Sequence, residues 1–437
     1  MKKTIRIKGW WVILAFVVVG IVFLAASQSL RSRVYWKFTE WYADVFYWLK
    51  PPEEEVFVPQ ESGITATSTV VVVPTLTQTP EPGLPTSTPT AALQPTQTPL
   101  PLPEKVVLEG VKYTDQHGLW NYCAPANLTM ALSYWGVDVP REVVGRYLKP
   151  EDLDRNVKPY ELANYVEEET TLGVAVREGG DLEVIKRLVA AGYPVVIEKG
   201  LYMPQTPGSV KIIWMGHYNL IVGYDEANQE FISHDSYLSP PEYDLFLPIS
   251  YDDLITQWRA FNYIFMVVYP LDQYEEVSAL LGDYIDPTWA IEHARDIALE
   301  ETGLLHGEDL FFAWFNYGNS LRMLFDYGPA STAFDTAFQI YATLDPDRRP
   351  WRMMWYQTGP YYAYFYTGRY QDVIDLATTT IEASSQPYIE ESWYWRGQAR
   401  QALGDMEGAL EDFRQSLVYH PGFAPSLEAI ALMGYEP

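Results

Sequence analysis

The sequence is poor in two things that much protein chemistry depends on. It has one cysteine, Cys123, in 437 residues, which excludes an intramolecular disulfide framework and a cysteine-rich zinc module. It is also short of positive charge: 30 Lys and Arg stand against 57 Asp and Glu, a formal charge of −27 at pH 7. Affinity for phosphate backbones needs clustered cations, so a nucleic-acid partner is excluded too. No glycine-rich phosphate loop and no His-Glu-x-x-His pattern occurs. What is present is a hydrophobic content of 48%, which argues against a wholly disordered chain. At roughly 150 residues per unit the length allows two or three folded domains. A single thiol in such a chain is inert and buried or it is reactive, and its neighbours decide which.

The few cations are concentrated at the start, where residues 1–50 hold eight Lys or Arg and two acids. Within that stretch an apolar run, Trp10 to Ala26, follows Lys2, Lys3, Arg6 and Lys8. This predicts an N-terminal transmembrane helix, with Trp36, Trp41 and Trp48 suited to an interfacial belt. The rival reading is a cleaved signal peptide ending near Ala25-Ala26-Ser27. Either way the bulk of the chain is expected outside the cytoplasm, with the membrane as a partner. Residues 51–104 then carry 12 Pro, 11 Thr, no Lys or Arg, and only Phe57 as an aromatic. Such a tract cannot bury enough apolar surface to offset its ordering entropy. It predicts a disordered Pro/Thr linker, partly polyproline, reaching on the order of 150 Å at about 3.1 Å per residue. Two folded units follow: residues 105–272, which mix short β-branched runs with helices, and residues 286–437, which read almost wholly as helix.

Cys123 lies in Asp115-Gln116-His117-Gly118-Leu119-Trp120-Asn121-Tyr122-Cys123-Ala124-Pro125-Ala126-Asn127. After it, Leu128, Ala131, Leu132 and Trp135 fall at helical spacing and Gly136 closes the pattern. Pro125 sits in the first turn, where a missing N–H is tolerated. The thiol is thus placed at a helix N-terminus, where unpaired N–H groups and the dipole favour thiolate. A nucleophile needs a base and an orienting group. His217 opens an apolar run, His217-Tyr218-Asn219-Leu220-Ile221-Val222, and a second run, Glu230 to His234, leads to Asp235. This predicts a hairpin turning near Asp225 to Gln229, which brings His217 to Asp235. His217 with His234 and Asp235 makes a poor metal set, because adjacent strand residues face opposite ways. Asn127-Leu128-Thr129 fits a glycosylation sequon but falls within the helix, and we read it as chance.

These residues resemble the papain-like cysteine peptidases of family thirty-nine, the bacteriocin-leader or double-glycine peptidases and their relatives. The resemblance rests on the Gln–Cys-x-Pro-Ala–helix segment, the Gly-His hairpin, the closing Asp, and a later stretch from Ile249 through Trp258 to Pro270. It covers roughly residues 108–270. It implies an α+β papain-like domain in which Cys123 is the nucleophile, His217 the general base and Asp235 the residue orienting its imidazole. Gln116 matches the side-chain donor of the oxyanion hole, beside the Cys123 backbone N–H. The sequence departs from the family in having Ala124 where Gly usually follows the cysteine, and in a seven-residue step from Gln116 to Cys123 where six is common. His117 and Asp115 are neighbouring candidates. No nucleotide-binding motif accompanies the domain, so double-glycine specificity is not implied.

In the helical part, Trp393, Gly397, Gly404, Ala409, Phe413, Ser416 and Pro421 fall at the spacing of one tetratricopeptide unit of about 34 residues. Arg396 and Arg400 occupy positions that are usually apolar. Tyr364, Gly368, Val373, Ala377 and Pro387 suggest a second copy. Trp314, Gly318, Ala333, Ala337, Tyr341 and Pro346 suggest a third, and three suffice for a continuous core. The expectation is a multidomain, membrane-anchored, extracytoplasmic cysteine peptidase without a cofactor, acting on a peptide or protein substrate. An all-α tetratricopeptide-like solenoid would bind a protein partner. An inactive peptidase-fold scaffold, or an acyl or amide transferase with the same triad, are the alternatives.

Overall fold

The computed structural model describes residues 28–60, 101–151, 153–204, 211–239 and 246–437. The apolar run at 10–26 and most of the expected linker lie outside the described residues. Among the described residues no helix is long and apolar enough to cross a membrane. Helix α1 (Gln28–Leu49) presents Ala43 and Tyr47 to a cluster containing Trp351, Trp355, Ile381 and Ile389. The Tyr47 hydroxyl accepts hydrogen bonds from the Ser385 backbone and side chain. Residues 51–60, expected as the start of a free linker, instead lie along the helical region. Phe57 is buried against Phe338, with ring centroids 5.0 Å apart, and Gln60 N–H donates to Asp372 Oδ1 at 2.8 Å. The reason is the one aromatic of the tract: burying a Phe side chain stabilises by about 1.5–3 kcal/mol, enough to dock its polar flanks. At the far end Tyr224 Oη donates to Pro103 O at 2.9 Å and Glu226 N–H to Glu104 O at 2.9 Å. Residues 101–104 are therefore also pinned.

The sheet unit runs β1 (Lys105–Val107), α2 (Cys123–Tyr134), α3 (Arg141–Leu148), α4 (Pro159–Glu169), β2 (Leu172–Arg177), α5 (Leu182–Ala190) and β3 (Val195–Pro204). It continues with β4 (Ile212–Asp225), β5 (Glu230–His234), β6 (Leu247–Ser250), α6 (Tyr251–Arg259) and β7 (Phe265–Pro270). The strands form one antiparallel sheet in the order β2-β7-β3-β4-β5-β6, with β1 joining β4. Asp181 and Ser250 cap α5 and α6 by accepting from the N–H three residues on, which fixes where those helices begin. Two local expectations change. Helix α2 is not amphipathic: every residue from Ala124 to Ser133 is buried, because it runs between α3 and strands β3 and β4. And His217 does not open its strand. β4 begins at Ile212, since its first half pairs with a long β3 in a register that sets Lys199 opposite His217 and Pro204 opposite Ile212.

The helical region comprises α7 (Tyr274–Leu281), α8 (Pro287–Thr302), α9 (Gly307–Met323), α10 (Tyr327–Thr343), α11 (Met353–Tyr356) and α12 (Gly359–Tyr366). It ends with α13 (Tyr370–Glu382), α14 (Glu390–Ala402), α15 (Met406–Tyr419) and α16 (Ala424–Leu432). Val277, Leu281 and Ala290 belong to the core of the sheet unit, so the first helices are a continuation of that unit. The later ones pack as hairpins. A Cβ at Gly318 would come within 2.8 Å of Phe334, and one at Gly397 within 2.7 Å of Phe413; these glycines are where paired helices cross. Gly368 and Gly404 turn the chain between helices with φ of 77° and 88°. Arg396, at an ordinarily apolar position, grips Asp412 through Nε at 3.0 Å and Nη2 at 2.7 Å, and Arg400 Nη1 reaches the same carboxylate at 2.9 Å. Asp412 is 1% exposed. Asp412→Ala strands two guanidinium groups, and removing one member of a buried ion cluster typically costs about 3–5 kcal/mol. The expected result is early loss of amide-exchange protection in α14–α16 while the sheet unit stays protected.

Candidate active site

The site is assembled from one helix end, one strand and the loop after the next strand. Cys123 is the first residue of α2 and half-buried, so it lies at the positive end of that helix. The His217 imidazole and the Tyr218 backbone N–H lie close enough to its thiol to act on its ionisation. His217 is 2% exposed in the middle of β4. Its Nε2 bonds Asp235 Oδ1 at 2.9 Å, which leaves Nδ1 for the thiol. Asp235 is fully buried just past β5, and the same Oδ1 accepts from the Tyr237 and Leu238 backbone N–H groups at 2.8 Å each. Ser239 Oγ accepts from the Asp235 N–H at 3.1 Å. The register delivers this geometry: Leu220 faces His234, so one residue beyond β5 reaches back toward His217.

The electrostatics follow from burial and pairing. Desolvation pushes the Cys123 thiol up, but the His217 hydrogen bond and charge, the Tyr218 N–H and Lys149 together bring it below its ordinary value. Burial pushes His217 down, and Asp235 and Cys123 more than offset this, raising the imidazole to about 9. Burial pushes Asp235 up, yet His217, Lys199 and backbone N–H groups hold its carboxyl well below the usual range. A thiolate beside an imidazolium, oriented by a carboxylate, is the charge state these partners favour.

Gln116 is brought to the same loop. Its N–H donates to Ser236 O and Ser236 Oγ donates to its Oε1, each at 2.8 Å. The carbonyl end of the amide is thereby occupied, which leaves the NH2 end as the available donor. Ala124 is helical and 1% exposed, with no positive φ, so alanine in place of glycine is unstrained. The longer step from Gln116 to Cys123 is absorbed by left-handed residues at Gly118, φ 84°, and Asn121, φ 50°. His117 and Asp115 pair with each other at 3.4 Å, His117 stacks on Tyr237, and both stand outside the thiol–imidazole–carboxylate chain.

Three neighbours were not foreseen. Lys199, 2% exposed, places Nζ 3.9 Å from Asp235 Oδ2 and balances the buried acid from the adjacent strand. Glu198 is buried close enough to Cys123 to feel its charge, and burial together with that charge raises its carboxyl well above normal. Asn127, also fully buried, sets Nδ2 at 2.9 Å from Cys123 O, 2.9 Å from Tyr218 O and 3.2 Å from Ser236 Oγ. It ties α2, β4 and the Asp235 loop together, and its burial accounts for the sequon as chance. Only its spacing of four from Cys123, one helical turn, pointed that way. Misplacing reacting groups by about 1 Å can cost about 10²-fold. Asn127→Ala is therefore expected to lower kcat/KM on that scale and to raise the thiol pKa, read as the pH dependence of iodoacetamide alkylation.

Among the described residues, one group of three side chains is compact enough to share a metal ion: Asp154, Glu390 and His420, with ligand atoms within 4.8 Å of one another. It bridges the sheet unit to α14 and the end of α15, with His420 Nδ1 at 3.2 Å from Glu390 Oε1 and 3.9 Å from Asp154 Oδ2. His234 takes no part; its ring stacks on Phe246 at 4.9 Å.

Residues 108–263 match the model of the Peptidase_C39 like family and form a domain of that kind. No curated protein matches the chain. Among solved structures, similar ones include a family thirty-nine-like peptidase from Bacillus anthracis, 17% identical with a TM-score of 0.31. That alignment covers 38% of this chain and 98% of the other. A second is a double-glycine-motif protease from an AMS/PCAT transporter in complex with the leader peptide: 15% identical, TM-score 0.26, covering 38% and 98%. A third is xylellain, a cysteine protease from Xylella fastidiosa, at 16% identity and TM-score 0.25, covering 39% and 87%.

Proposed function

We propose that this chain is a cysteine peptidase, anchored in a membrane through residues 10–26 and working outside the cytoplasm. The observation that carries the reading is the single relay in which His217 joins the Cys123 thiol to Asp235. The Cys123 thiolate attacks the carbonyl carbon of a peptide bond, and the developing oxyanion is met by the Cys123 N–H and the Gln116 amide. The His217 imidazolium gives its proton to the departing amine, leaving a thioester on Cys123. The neutral imidazole then takes a proton from water, whose oxygen displaces the thiolate and releases the acid. Asp235 keeps the ring oriented and supports its positive charge throughout. An inactive scaffold is disfavoured because thiol, imidazole and carboxylate are in register and Ala124 is unstrained.

The exposed face of α1, with Phe38 at 61%, Trp41 at 59% and Trp48 at 78%, supports a position beside a bilayer, where such rings partition to the interface. The helical hairpins with glycine crossings support a tetratricopeptide-like array that holds a protein partner. The test of the enzymatic reading is incubation of the full chain with a peptidyl electrophile selective for cysteine peptidases and with a diverse peptide library. Stoichiometric labelling at Cys123 with cleavage of library members is expected. Absence of both from folded protein overturns the reading.

A further inference from the structure

A cavity of about 490 Å³ lies between the sheet unit and the helical region, within the size range of small-ligand sites. Cys123 and His217 do not line it, but two residues that do, Glu198 and Tyr356, both interact electrostatically with Cys123. Glu198 is the cross-strand partner of Tyr218, next to His217, and a Cβ at Gly216 would come within 3.0 Å of the Tyr356 ring. The walls are aromatic: Tyr160 from the sheet unit, and Tyr362, Tyr394, Trp395 and Phe423 from the helical region.

The charges lining it are unevenly matched. Lys158 and Glu391 form an ion pair with each other. Arg322 lies over the Tyr362 ring, 5.3 Å from its centroid. Glu178 and Glu198 remain, and neither forms an ion pair within 4.0 Å among the described residues. Arg177 and then Arg322 act on Glu178, and Lys158 on Glu198, only at longer range. The Tyr218 hydroxyl, which acts on Glu198, donates its own proton to Val157 O at 2.9 Å. A buried carboxylate and a half-buried one without a contacting cation are costly and are relieved when one arrives. Aromatic faces attract the same kind of group and pack along its aliphatic stem.

We infer that this cavity is the specificity pocket of the site and takes a lysine or arginine side chain of the substrate. The stem lies between Tyr160, Tyr362 and Trp395, and the cationic head meets Glu178 and Glu198. The helical region then forms half of the substrate cleft as well as presenting its own surfaces. This rests on reading Cys123 as a peptidase nucleophile.

The test uses full-length Cys123→Ala and fluorescein-labelled alanine heptapeptides carrying one Lys, Arg, norleucine or Glu at each position in turn, followed by anisotropy. At one position, Lys and Arg are expected to bind at least tenfold tighter than norleucine, and Glu weakest. Glu178→Gln and Glu198→Gln, nearly isosteric, are expected to shrink that preference below threefold. Arg322→Met, which removes a competing cation, is expected to tighten Lys binding severalfold. Equal affinity for Lys and norleucine at every position overturns the inference, as does an unchanged preference in both Gln variants of native melting temperature. Weaker Lys binding in Arg322→Met does so too, and keeps the test decisive if a Gln variant fails to fold. Cleavage by the unmodified chain without Lys or Arg preference defeats the pocket alone. Preferential binding without any cleavage by the unmodified chain defeats the peptidase reading alone.

Discussion

Cys123→Ala is expected to lower peptide turnover by about 10⁴-fold or more, the scale on which removal of a triad nucleophile acts, and to abolish electrophile labelling. The size follows from there being one thiol in the chain and so no second sulfur to substitute. The fold should hardly notice. Alanine is a better helix former than cysteine, and the position is only half-buried at a helix end, so the melting temperature should stay within a few degrees. Turnover above one part in ten of the unmodified rate, in protein freed of contaminating peptidase by a second purification, would place the nucleophile elsewhere.

The second large effect is expected from Asp235→Asn, read as a pH profile. With His217 raised to about 9 and the Cys123 thiol lowered, the ion pair persists until the imidazolium loses its proton. kcat/KM should therefore hold on the alkaline side and fall as pH rises through about 9. The substituted amide keeps the shape of the carboxylate but not its charge, and the matching change in a serine triad costs about 10⁴-fold. The surviving activity should show its alkaline limb moved down toward the ordinary histidine value near 6.5. An unmoved limb would mean that Asp235 does not support the imidazolium.

Stability follows the same two groups with opposite signs. His217 has a folded pKa above its unfolded one, so its contribution is complete below about 6.5 and is lost as pH rises through about 9. Asp235 is depressed, so its contribution is present above about 4 and is lost as pH falls through its lowered folded value. The raised imidazole corresponds to stabilisation on the order of 3 kcal/mol. The lowered Cys123 thiol gains stability over the same range, so urea unfolding at pH 6 and pH 9.5 should show a smaller decline than that for the unmodified chain, and less still for Asp235→Asn.

Much of the site was legible because it is local. A thiol followed by Pro125 and a helical pattern reads as a helix start, and two apolar runs separated by a turn read as a hairpin. The position of His217 within its strand was not legible. The residues that lengthen β4 to Ile212 do so by pairing with Lys199 to Pro204 of β3, and a single run carries no record of its partner. The same holds for Lys199 and Asn127. Each looks ordinary in its own segment and acquires meaning from groups 36 and 91 positions away. Helix α2 shows the limit of periodicity, which reports the most apolar face but not whether a second layer covers the other side.

The sequence by itself determined the chemistry on offer: one thiol, a helix N-terminus to hold it, a histidine and an aspartate on a hairpin, and an excess of acids over bases. Those are properties of composition and near neighbours along the chain. Tertiary structure alone decided that Phe57 docks the linker's beginning, that Lys199 balances the buried aspartate, and that Glu178, Glu198 and the rings of the helical region line one cavity. Each depends on groups far apart in sequence meeting where water is excluded. There, charge and aromatic area act at strengths that no local pattern encodes.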